Sequence, residues 1–251
     1  MLRLHCVIMS SHPPAVKSQI DRSAPILLTL LSIAFLGLTV VNTELSSRLM
    51  REDELLQNLQ AVLLFAAAFM FAGSAFRAGK ADVGKLETAA LALLALVAFF
   101  VAGEEVSWGQ RIFGFQTPES LKAINTQQEF TVHNLAGLQR VRHWALIAFG
   151  LIGGLASIPR IRLRARQTAE WIAHLLPERS YVSAFAMAAL LGVCIEAITL
   201  LSRWGDVSQP VTAARYPISE NAELLVAGTV CVYALRQLMR FFGRDASPGV
   251  R

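Results

Sequence analysis

The chain has 251 residues, 54% of them hydrophobic and only 16% charged, with a mean hydropathy of +0.48. A soluble domain carries about 25% charged residues. The shortage, with several apolar runs of about 20 residues, excludes an ordinary soluble domain and indicates a multi-pass membrane protein. The net charge of +5 is not interleaved with aromatic residues as in a nucleic-acid-binding surface, so no nucleic acid is expected as a partner.

In chain order, residues 1–23 read as an N-terminal tail. Its apolar piece is interrupted by Arg3 and His5 and followed by Pro13-Pro14, which does not fit a signal peptide, and Met9 is an alternative start to Met1. Six apolar runs follow, at 24–41, 55–76, 86–103, 141–158, 181–201 and 222–239. Each is near the length that crosses a ~30 Å hydrocarbon core as a helix. Strands would leave backbone groups unpaired in lipid. The expectation is therefore all-α: a single six-helix membrane domain over 24–241 and a C-terminal tail over 242–251. Cys6, Cys194 and Cys231 form no C-x-x-C or Cys/His cluster, so neither a disulfide framework nor a zinc finger is indicated.

Loop charges orient these spans. With the N-terminus inside, the inner segments hold 15 of the 23 Lys and Arg residues, and Arg160-Ile-Arg-Leu-Arg-Ala-Arg166 is the strongest anchor. Both termini are expected in the cytoplasm. Residues 168–176, with Trp171, Ile172, Leu175 and Leu176, suit a helix on the inner leaflet, where Arg side chains attract anionic lipid or simply anchor the loop.

The longest connection, 104–140, is expected to be ordered. Thr117-Pro118-Glu119 reads as a helix start, with Thr117 as N-cap and Pro118 at the first helical position. Leu121 and Ile124 give that short interfacial helix an apolar stripe, and Trp108, Phe113 and Phe115 suit the headgroup level.

Polar residues collect at the outer ends of the runs. Glu104 and Glu105 end the third. Glu54, Gln57, Asn58 and Gln60 open the second. Arg140, Arg142 and His143 open the fourth, Glu196 lies in the outer third of the fifth, and Ser219, Glu220, Asn221 and Glu223 open the sixth. The inner ends read as an ordinary basic flank. A carboxylate at the centre of a spanning helix costs about 2.5–3.5 kcal/mol, falling towards the interface. The acids are therefore expected either to reach water or to share a polar recess open at the outer surface. If the third helix continues past Gly103, Glu104, Trp108 and Arg111 share one face. Adjacent carboxylates in a shielded site are candidates for acid/base work. Glu220 and Glu223 also suit a helix N-terminus. Imidazole and carboxylate ligands for a divalent metal are available from His133, His143 and Glu105, without a compact metal-binding spacing. No G-x-S-x-G nucleophile motif is present.

Glu104-Glu105-Val106-Ser107-Trp108-Gly109-Gln110-Arg111, followed by Thr117-Pro118-Glu119 and His133-Asn134, resembles the E-E-x-S-W-G-Q-R … H-N signature of a group of uncharacterised bacterial multi-pass membrane proteins. The resemblance implies a bacterial inner-membrane protein and brings no activity with it. A looser similarity is to the CPBP intramembrane proteases, whose E-E-x-x-x-R, F-x-x-x-H and H-x-x-x-N patterns recur here with altered spacings.

The expected function is that of an integral inner-membrane protein with an outward-facing Glu/His/Arg site. It would be a hydrolase or transferase on a lipid-linked or membrane-embedded substrate, in contact with membrane lipid. Glu104, Glu105, Arg111 and His133 are the catalytic candidates, supported by Trp108, Gln110, Asn134, Glu196, Glu220, Glu223 and Asn58. The alternative is a transporter or an assembly scaffold of the cell envelope. Modest helix breaks at Gly153-Gly154 and Gly192 speak to the transporter, and the absence of a visible polar path to the inner face speaks against it.

Overall fold

The computed structural model describes residues 14–50, 55–125, 128–132, 135, 138–205 and 208–242. Met9, Glu54, His133 and Asn134 lie outside these, as do the side chains of Gln57, Arg111 and Arg140. The described chain is helical: α1 (Pro14–Val41), α2 (Thr43–Leu49), α3 (Leu55–Lys80), α4 (Lys85–Glu105), α5 (Gln110–Phe113), α6 (Glu119–Lys122), α7 (Leu138–Ala156), α8 (Pro159–Thr168), α9 (Glu170–Leu175), α10 (Val182–Trp204) and α11 (Gln209–Phe242). Five helices are long and apolar enough to cross a membrane, and a sixth span results if α7 and α8, bent by 72°, count as one. The protein is thus an all-α polytopic membrane protein.

Helix α11 is the hub. It packs against α3, α10 and α1; α3 in turn packs against α4, and α10 against α7. Alanine dominates the contacts. Ala67, Ala75, Ala78, Ala95 and Ala234 surround Phe71, Leu91 and Phe241 in one core, and Ala184, Ala188 and Ala222 surround Leu191 and Ile195 in the other. Small side chains let backbones approach closely where lipid removes the hydrophobic drive to associate. Large apolar side chains such as Phe69, Leu96 and Ile152 point outward, each about two-thirds exposed, as a lipid-facing surface requires.

The closest approach joins α7 to α10. A Cβ on Gly150 would stand 2.5 Å from the Ala189 N and Phe185 O atoms, and one on Gly192 would stand 2.7 Å from Ile147. These glycines, with Gly153 against the Phe185 ring, are contact points between continuous helices rather than breaks in a span.

Two further sequence expectations change. Thr117 is not an N-cap: Pro118 holds that place, and the Thr117 hydroxyl accepts a bond from Gln110 instead. α11 begins at Gln209 and carries Pro217 inside it, so Glu220 and Glu223 lie well within the helix and do not answer its N-terminal dipole. Residues 170–175 are also tied to the bundle, because Ala173 is buried and Leu175 packs against the α3–α4–α11 core.

Candidate functional site

The E-E-x-S-W-G-Q-R segment is a chain reversal. α4 ends at Glu105, and Ser107 (φ 49°), Trp108 (φ 54°) and Gly109 (φ 82°) follow in the left-handed region. Only glycine adopts that conformation freely, and the two L-residues each carry about 1–2 kcal/mol of strain. The expected helical face of Glu104, Trp108 and Arg111 therefore does not exist. Trp108 folds back over Gly103, where a Cβ would meet the indole at 2.8 Å. Its Nε1 donates to Glu104 Oε1 at 2.7 Å, and the Val132 N–H donates to Glu104 Oε2 at 2.6 Å.

The rest of the motif wires the loop together. The Ser107 hydroxyl donates to Glu129 at 2.8 Å. The Gln110 amide donates to Thr117 Oγ1 and accepts from the Phe130 N–H, both at 2.8 Å. Asn125 donates to the Thr131 carbonyl at 2.8 Å and pairs with Leu135 as an antiparallel bridge. Buried polar groups that are satisfied in this way fix a unique loop. Glu104, Ser107, Trp108, Gly109 and Gln110 are thus occupied in building the turn.

Glu105, the next residue, belongs to a second group. It lies within electrostatic reach of Arg142 and Glu220. The Arg142 Nε is 3.3 Å from Glu223 Oε1, and its Nη2 donates to Ser219 Oγ at 3.4 Å. Ser219 also donates to Glu223 at 3.2 Å. Gln60 donates to the Glu220 carbonyl at 3.2 Å and to its carboxylate at 3.4 Å. Glu220 is 5% exposed and Gln60 1%. Among the described residues, Arg142 of α7 thus pairs with Glu223 and has two further carboxylates, Glu220 of α11 and Glu105 of α4, within electrostatic reach.

A third group flanks these. His143 Nδ1 stands 3.5 Å from Glu196 Oε2, both side chains being buried. The glycine contact sets this register. The helices run antiparallel, with Gly150 opposite Ala189 and Ile147 opposite Gly192, so the next turn brings His143 to Glu196. Asn58 is exposed, and Gln60, two positions on in α3, reaches the cluster. Among the described residues no three His, Cys, Asp or Glu side chains are placed to hold a metal ion.

The opposite end of the bundle is not a plain basic flank. Glu87, fully buried in the first turn of α4, is paired with Arg240 and lies 3.1 Å from His174 Nδ1. Arg240 and Gln237 donate to the His174 carbonyl at 2.9 and 3.2 Å, and the Tyr233 hydroxyl donates to the Leu175 carbonyl. The stripe Tyr233–Gln237–Arg240 of α11 thereby caps α9, supplying partners for the carbonyls of His174 and Leu175 in its last turn. The sequence signals were the 233, 237, 240 spacing and an acid in the first turn of α4, each of which has an ordinary reading by itself.

Comparison of the chain with protein-family models, with curated proteins and with solved structures returns no match.

Proposed function

We propose that this integral membrane protein is an enzyme, a hydrolase or transferase acting on a lipid-linked or membrane-embedded substrate, with Glu105, Glu220, Glu223 and Arg142 at its centre. One observation carries the reading: among the described residues, Glu223 pairs with Arg142 while Glu105 and Glu220 lie within its electrostatic reach inside a membrane bundle. Such crowding is how proteins set carboxyl groups apart for acid and base roles. Glu105, half-buried beside the loop, takes the proton of a water or substrate hydroxyl as its oxygen attacks. Arg142 offsets the negative charge that develops, and the departing oxygen receives a proton from the acid cluster. Glu104 holds the loop above the site. Arg111 and His133 remain candidates for the anionic part of the substrate. The motif end faces outward from a bacterial inner membrane, with both termini cytoplasmic, by the loop-charge bias and the resemblance of the motif.

The transporter alternative is less well supported. From Glu223 to Tyr233 the buried positions of α11 are Leu225, Ala227, Gly228 and Thr229, and the Thr229 hydroxyl is spent on its own helix. Single Gln variants of Glu105, Glu220, Glu223, Arg142 and Arg111, with His133→Ala, test the proposal by comparison of membrane lipid extracts. Glu105→Gln is expected to lose about 100-fold in conversion while purifying normally. Unchanged lipid profiles in all six variants at normal expression overturn the enzyme.

A further inference from the structure

Independently of the motif end, we infer that the basic end carries an anion site for a phosphate group, formed by Arg162 and Arg236 across Glu178. Arg236 Nη2 donates to Glu178 Oε1 at 2.8 Å, and Arg162 Nη1 stands 4.0 Å from the same oxygen. Arg166, one turn along α8, lies within electrostatic reach of Arg162. Two guanidiniums thus share one carboxylate with a third nearby; of the neighbouring acids, Glu87 is taken by Arg240 and Glu170 stands 3.8 Å from His174 Nε2.

Arginines that merely anchor a loop splay into water or headgroups. Here the side chains of Arg162 and Arg236 are only 23% and 11% exposed. Arg162 Nε is buried with no hydrogen-bond partner among the described residues. Like charges held this close need an anion, and a planar fork of donors matches phosphate oxygens. The cluster lies where α8 turns 72° away from α7, with Leu163 of α8 exposed to the surroundings. A lipid phosphate headgroup and a free phosphate share this chemistry.

The test uses the full chain in nanodiscs. Thermal unfolding is followed in phosphatidylcholine discs, in discs containing phosphatidylglycerol, and in phosphatidylcholine discs titrated with inorganic phosphate. Native mass spectrometry counts the phosphatidylglycerol retained. Stabilisation by phosphatidylglycerol alone identifies a headgroup site, and stabilisation by inorganic phosphate as well identifies a site for free phosphate. Arg162→Gln and Arg236→Gln are each expected to weaken binding about five- to tenfold. The exposed neighbours Arg160→Gln and Arg164→Gln leave it unchanged. Glu178→Gln is expected to tighten binding, because it removes the competing carboxylate, although it loses an ion pair. No stabilisation of the wild type by either probe, equal losses from Arg160→Gln and Arg162→Gln, or weaker binding by a folded Glu178→Gln overturns the site.

Discussion

The two ends of α11 carry inverse charge arrangements. At the motif end Glu223 pairs with Arg142, and Glu105 and Glu220 lie within its electrostatic reach; at the other end Arg236 and Arg162 face Glu178, with Arg166 within reach of Arg162. Beside the second cluster sits a matched pair, Glu87 with Arg240, closed off by His174, Tyr233 and Gln237. The difference separates two uses of buried charge. Matched charges hold elements in place, whereas an excess of one sign is tolerated where something else is to bind or react.

The comparison breaks most easily at the matched pair. Glu87→Ala leaves Arg240 buried without its carboxylate, and the expected loss is about 3–5 kcal/mol of stability. Thermal unfolding of the purified protein, with protease access to the α8–α9 segment, measures it. Equal stability of the variant would remove the distinction between the two ends. Gly150→Leu is expected to be nearly as damaging, about 3 kcal/mol or more, because no rotamer avoids the α10 backbone. Its effect reaches the motif end through the register that sets His143 against Glu196, so unfolding and loss of the proposed activity should fall together.

Legibility in the sequence follows the same division. The spans could be read because each is a continuous apolar run, and burial in lipid depends on that local property. Their ends were harder. Pro217 and the acids at Glu220 and Glu223 imitate a helix start, yet α11 runs on from Gln209. The motif could be found but not interpreted, since nothing in Ser107 or Trp108 announces a positive φ, and Glu104 meets Val132 28 positions away. Gathering Glu105, Glu220, Glu223 and Arg142 at one level followed from span direction alone. The Glu87–Arg240 pair joins positions 153 apart, and each partner resembles a routine helix-terminal charge. A partner so distant leaves no local trace.

Loosening the loop should have an intermediate effect. Glu104→Gln keeps one acceptor for Trp108 but puts an amide donor or a weaker acceptor at the Val132 N–H, and about 1–3 kcal/mol of local stability is expected to go. Hydrogen exchange at residues 128–132 should rise while the spans stay protected. Exchange rising everywhere would mean that Glu104 supports the bundle rather than the loop.

The smallest expected effect is the most diagnostic for the excess-charge argument. Glu220→Gln removes one of three crowded carboxylates and retains the amide-to-backbone bond from Gln60, which reaches the Glu220 carbonyl and not only its side chain. Stability is expected to hold or to rise by up to about 1 kcal/mol, as when a functional acid is neutralised at a strained site. The same change at Glu87 removes a partner rather than a competitor and should lower stability. Opposite signs for Glu220→Gln and Glu87→Gln in one unfolding assay would show that burial alone does not decide the value of a carboxylate. The ratio of acids to guanidiniums around it does, and equal losses from the two variants would refute that.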